Sequence, residues 1–304
     1  MPRLPPKILT VACYLYRDEQ SARAGREFGG TAFLVAMPSR IAGQAHIYAV
    51  TNWHVTHKKK ASVLRINTRD GRSDIFALDP NDWEFDPRFD IAVRSLPLDQ
   101  NKHQYNGAVP ASAFVSAADV DRLRLGPGED VFMVGRFVDH DGGPINRPAV
   151  RFGNISVMPS PIKQPNDRMA ASYCIDLHSR SGYSGSPVFV YRIPGYDLED
   201  RLEEKQLLLA GANYLGLLGI HFAQFPEKWQ LISGLSNLAA EMSDVPLIQD
   251  GAYVKGLSGM TCVLPAWNIL DVLNLPHLKE ARDQDDAQTE ERQAREGRSQ
   301  PEPE

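Results

Sequence analysis

Three short runs carry residue types that together can perform nucleophilic chemistry. They are Thr51-Asn52-Trp53-His54-Val55, Phe89-Asp90-Ile91-Ala92-Val93 and Arg180-Ser181-Gly182-Tyr183-Ser184-Gly185-Ser186-Pro187-Val188-Phe189, in that order along the chain. A serine hydroxyl is a weak nucleophile at neutral pH and needs a neighbouring base to take its proton. Ser184 is the candidate nucleophile and His54 the candidate base. The imidazole has two nitrogens, so a buried carboxylate is needed to fix its tautomer and to stabilise the imidazolium that forms; Asp90 is the candidate. A developing oxyanion needs preorganised donors. The small residues around Ser184 suit a backbone that turns its amides inward, so Gly182 N–H and Ser184 N–H are the candidate pair, each such donor commonly contributing roughly 3 kcal/mol.

Each choice has a competitor. Asp86 lies in the same acidic stretch as Asp90, Asp82 to Asp90, but the apolar Ile91-Ala92-Val93 that follows favours Asp90 as the residue at a strand edge. Ser181 and Ser186 flank Ser184 and read as turn formers. His46, His57, His103, His140 and His277 have no motif around them and read as surface residues.

The elements that must position these side chains are short β-rich runs separated by Gly, Pro, Asn and Asp clusters: Ala45 to Thr51, Ser62 to Asn67, Ile75 to Leu78, Val131 to Phe137, Tyr173 to Leu177, Pro187 to Tyr191 and Gly219 to Phe222. That spacing predicts an all-β architecture of barrels rather than alternating helix and strand. Ile8 to Tyr16 is rich in β-formers and reads as a first strand rather than the apolar part of a signal peptide. Asp119 to Leu125 follows a linker. Tyr196 to Lys205 and Leu231 to Met242 read as insertions, the second with helical periodicity. Ala266 to Leu275 has apolar residues at helical spacing and reads as a closing helix. From about Leu278 the chain is Glu, Asp, Gln, Arg and Pro with almost nothing apolar to bury, which predicts a disordered charged tail over 277–304.

The 304 residues are 42% hydrophobic, enough for a substantial core, and the formal net charge of −5 with no long basic cluster argues against a nucleic-acid surface. No stretch approaches the roughly 20 apolar residues that span a bilayer. Cys13, Cys174 and Cys262 are odd in number, far apart and each inside an apolar run, so they read as buried free thiols rather than a disulfide frame or a metal site. That usage suits a reducing compartment, and a cytoplasmic location is expected.

The three motif runs, with Phe28-Gly29-Gly30-Thr31-Ala32-Phe33-Leu34-Val35, Phe152-Gly153-Asn154-Ile155-Ser156, Leu217-Leu218-Gly219-Ile220-His221-Phe222 and Gly259 to Pro265, resemble bacterial members of the trypsin/chymotrypsin-like serine protease superfamily. The resemblance runs from about Ile8 to Leu275. It implies two Greek-key six-stranded β-barrels of chymotrypsin type with a short C-terminal helix, the site lying in the cleft between them. Residues 1–116 would form the N-terminal barrel with His54 and Asp90, and 117–276 the C-terminal barrel with Ser184. It implies a serine endopeptidase that acts on polypeptides through an acyl-enzyme, with no cofactor and no metal. A protease-fold binding or regulatory module with weak turnover is the alternative, and an esterase on the same triad is also open. Tyr183 stands where many vertebrate relatives carry an aspartate that pairs with a newly cut N-terminus, so that activation switch is expected to be absent. Ser179 and His221 are similar to residues with which glutamyl endopeptidases bind an acidic side chain. High-temperature-requirement protease domains are similar as well.

Overall fold

The computed structural model describes residues 3–138, 142–177, 182–192, 214–230 and 253–298. The N-terminal half supplies β1 (Ala12–Tyr16), α1 (Glu19–Ala24), β2 (Phe28–Pro38), β3 (Ala45–Thr51), β4 (Val63–Asn67), β5 (Ser73–Phe76), β6 (Glu84–Phe85), β7 (Ala92–Ser95) and β8 (Val109–Pro110). They form one sheet in the order β5-β4-β1-β2-β3-β7-β6, with β8 added in parallel to β2. Ile66 and Phe76 from one end of that order share an apolar cluster with Trp83 and Ala92 from the other, so the sheet curls around its own core. Six strands of four or more residues do the curling; β6 and β8 are two-residue additions.

After α2 (Ala117–Arg122) come β9 (Asp130–Gly135), β10 (Ala149–Lys163), β11 (Met169–Asp176), β12 (Pro187–Arg192), β13 (Tyr214–Gln230) and β14 (Tyr253–Pro265). These close a six-stranded barrel in the order β10-β11-β14-β13-β12-β9. Ser116 starts α2 through a reciprocal capping bond with Asp119, which fixes where the chain enters the second half.

Successive side chains on a strand point to opposite faces, and here both faces are apolar. Ala32 and Leu34 of β2 enter the core of the first sheet, while Phe33 and Val35 enter a second cluster shared between the halves. Val131, Met133, Val188 and Val190 fill the closed barrel. Their neighbours Phe132, Val134, Phe189 and Tyr191 meet the β2 side chains in the shared cluster. The two halves are therefore joined by a dry core, which holds the cleft at fixed geometry. Cys174 and Cys262 face one another in register across β11 and β14, and all three cysteines are buried and free.

α3 (Ala266–Leu273) buries Ala266, Ile269, Val272 and Leu273 in the shared cluster. The segment expected to be a disordered tail is instead α4 (Pro276–Arg298). Leu278, Arg282 and Asp286, one turn apart, face the N-terminal sheet. Arg282 donates to Leu273 O at 2.7 Å and to Tyr48 Oη at 3.2 Å. Asp286 accepts from Ser39 Oγ at 2.6 Å and Arg40 N–H at 2.9 Å, and lies 3.0 Å from His46 Nε2. Polar side chains do the docking that apolar ones usually do, which is why composition did not reveal it. His46 thus has a structural partner, and His103 is buried against Asp99 N–H and Asp74 rather than lying on the surface. His140 and the segments 196–205 and 231–242 lie outside the described residues.

Candidate active site

β3 ends at Thr51, and the chain turns at once into a π-helical turn, His54–Lys58, that begins at the histidine. Trp53 stacks on His57 with ring centroids 5.6 Å apart and 10° between planes, and Phe85 meets His57 edge-on. These rings brace the turn from outside. On its inner side His54 Nδ1 is 2.6 Å from Asp90 Oδ2, and His54 N–H donates to Asp90 Oδ1 at 2.8 Å. Asp90 is fully buried and His54 nearly so.

Asp90 precedes β7, and two side chains hold it there that no motif had marked. Asn52 Nδ2 donates to Asp90 O at 2.9 Å, and Asp90 N–H donates to Gln164 Oε1 at 2.7 Å. Gln164 belongs to the turn between β10 and β11, so the second barrel fixes the carboxylate that orients a histidine of the first. Gln164 Nε2 also donates to Arg88 O at 3.0 Å. Asp86, the competing carboxylate, is engaged by Arg88, whose guanidinium holds it below the usual carboxylate range.

Ser184 occupies the turn that enters β12. Gly182 and Gly185 adopt φ of 98° and 87°, conformations that L side chains rarely take. Tyr183 O accepts from Ser186 N–H at 2.9 Å, Ser184 O from Thr31 N–H at 2.9 Å, and His221 O from Gly185 N–H at 3.0 Å. The serine turn and the histidine turn converge on one glycine. A β-carbon built on Gly30 would lie 2.9 and 3.0 Å from the γ-carbons of Val55 and 3.0 Å from Ser184 O. Ser184 is partly accessible, whereas Tyr183 and Ser186 are buried. Arg151 Nε reaches the Tyr183 hydroxyl at 3.3 Å.

His221 lies behind the serine turn on β13. Burial, with the nearby His54 as a second cause, pushes its imidazole down to about 3, so at neutral pH it carries no charge. Ser179 and Ser181 lie outside the described residues. Among the described residues no cluster of three or more His, Cys, Asp or Glu side chains could hold a metal ion, and no helix is long and apolar enough to cross a membrane.

The protease domain of MamO from Magnetospirillum magneticum superposes on this chain with a TM-score of 0.50, covering 88% of this chain and 98% of its own at 14% identity. The chain has the chymotrypsin-like protease fold. The Rv3671c protease from M. tuberculosis in its active form is also similar, at 16% identity, a TM-score of 0.44 and coverage of 90% and 91%. Deg5 is similar at 16% identity and a TM-score of 0.42 over 71% of this chain and 81% of its own. No protein-family model matches the chain. No curated protein matches it either.

Proposed function

We propose that the chain is a serine endopeptidase that works through an acyl-enzyme. Ser184 Oγ attacks the scissile carbonyl carbon while its proton passes to His54 Nε2. The carbonyl oxygen becomes an oxyanion, held by Gly182 N–H and Ser184 N–H. His54 then returns the proton to the leaving amine as the C–N bond breaks, and a water activated by the same imidazole hydrolyses the acyl-serine. No cofactor or metal takes part in these steps.

The observation that carries this reading is the two-point hold of buried Asp90 on His54. A carboxylate that bonds Nδ1–H leaves Nε2 as the basic nitrogen, as the role of general base requires. A neutral His221 offers an N–H and no positive charge, so preference for an acidic residue is not carried into the proposal. The test is cleavage-site profiling on a denatured proteome, with Ser184→Ala as control. Cuts made by the native chain and lost in the variant support the proposal; identical digests overturn it and favour a binding module.

A further inference from the structure

Thr31 of β2 is fully buried and makes four hydrogen bonds, three of them to the region of the nucleophile turn. Its hydroxyl donates to Gly182 O at 2.8 Å and accepts from Arg136 N–H at 3.0 Å. Its backbone N–H donates to Ser184 O at 2.9 Å. Its carbonyl accepts from Thr51 Oγ1 at 2.7 Å, which ties the same residue to the strand leading into His54.

These bonds fix peptide planes. In a trans peptide the C=O and N–H point in opposite directions, so anchoring a carbonyl aims the amide that follows it. Thr31 Oγ1 anchors the Gly182–Tyr183 plane and Thr31 N–H the Ser184–Gly185 plane. The plane between them, Tyr183–Ser184, carries the proposed oxyanion donor Ser184 N–H, and its carbonyl is held by Ser186 N–H. With both flanking planes pinned to β2, the middle one has little freedom to rotate. Arg136 O lies only 3.0 Å from where a β-carbon on Gly182 would sit, so the anchored segment is packed as well as bonded.

Resting on the proposed hydrolytic function, we infer that Thr31 is a positioning residue: its side-chain hydroxyl, reaching across from the first sheet, holds the Ser184 turn in the orientation that presents its amide to an oxyanion. A strand needs no hydroxyl at this site merely to pair, because β1 and β3 partner β2 through the backbone. Within a buried setting, loss of that hydroxyl leaves Gly182 O and Arg136 N–H without it, and an unpaired buried group is costly.

The experiment compares native chain, Thr31→Val, Thr31→Ala and Thr31→Ser. Two readouts are taken on each folded protein, the rate of fluorophosphonate labelling and the amide hydrogen exchange of Gly185 and Ser186. Both hydroxyl-less variants should label about tenfold to a hundredfold more slowly and exchange these two amides faster, while Thr31→Ser should stay near the native values in both. Thr31→Ala serves if the valine variant does not fold. Faster exchange in the hydroxyl-less variants of a chain that never labels, even in its native form, would keep the positioning role and defeat the hydrolase reading. Native exchange in both hydroxyl-less variants, or equal slowing in Thr31→Ser, would overturn the inference whatever the probe does.

Discussion

Asp90 holds His54 at two points, the ring through Nδ1 at 2.6 Å and the backbone through N–H at 2.8 Å, so one carboxylate sets both the tautomer of the imidazole and the start of the turn that carries it. Replacing it with an amide keeps the shape and changes the hydrogen-bond pattern. Asp90→Asn should fold yet label with a fluorophosphonate about 10⁴-fold more slowly, because the ring is then held in the wrong tautomer. Labelling kinetics give the answer, and a loss smaller than about tenfold would contradict the role assigned to Asp90.

The docking of α4 makes a prediction opposite to the one composition suggests. Truncation after Leu278 removes Arg282 and Asp286 with their buried bonds, and should lower the melting temperature by about 5 °C or more, given about 1.5–3 kcal/mol for a buried bond to a charged group. Truncation after Glu290 removes only exposed turns and should change it little. Equal melting temperatures for both truncated chains and the full chain would show that α4 does not dock.

A pH dependence follows from His221. The unfolded chain takes up a proton near 6.5 that the folded chain refuses until about 3. Between those values the unfolded state binds more protons, so stability falls as pH drops through this window and is fully present above it. His221→Phe, which cannot titrate, should flatten the urea-denaturation profile between pH 7 and pH 4.5. Asp286 acts lower: burial alone would raise its carboxyl, but Arg40 N–H, the Ser39 hydroxyl and His46 hold it below 3.8, so its contribution disappears as pH falls beneath that value. An unchanged slope in His221→Phe would place the titration elsewhere.

Close approach at the nucleophile turn can be separated from backbone strain. Gly185 has φ of +87° and a β-carbon there would lie 2.0 Å from Thr31 O, whereas Gly43 has φ of +75° with nothing within 4 Å. Gly43→Ala should cost only the conformational penalty, about 1–2 kcal/mol. Gly185→Ala should cost clearly more in urea melts and should also slow labelling. Equal costs would mean that the turn has room the structure does not give it.

Much of this was legible in the sequence, for physical reasons. Ala45–Thr51 stands out as a strand because both of its faces are buried toward its inner end, one in the first sheet and one in the shared core. His54, Asp90 and Ser184 stand out because each is bounded by the small or apolar residues that a strand edge or tight turn demands. β13 was legible only at Gly219 to Phe222, its most apolar part, although it runs from Tyr214 to Gln230. Gln164 and Thr31 were illegible as functional residues. Their meaning lies in partners far away along the chain, such as Asp90 and Gly182, and no local pattern encodes such a pairing. α4 was missed because its docking stripe is one leucine, one arginine and one aspartate, which no measure of hydropathy recognises.

The central claim, that Ser184 is a nucleophile activated by His54, is tested most directly by incubating the full chain with a fluorophosphonate and measuring intact mass and the modified peptide. The account predicts one adduct per chain, mapped to Ser184, absent from Ser184→Ala and nearly absent from His54→Ala. A folded native chain that acquires no adduct, or an adduct that persists in Ser184→Ala, would contradict it.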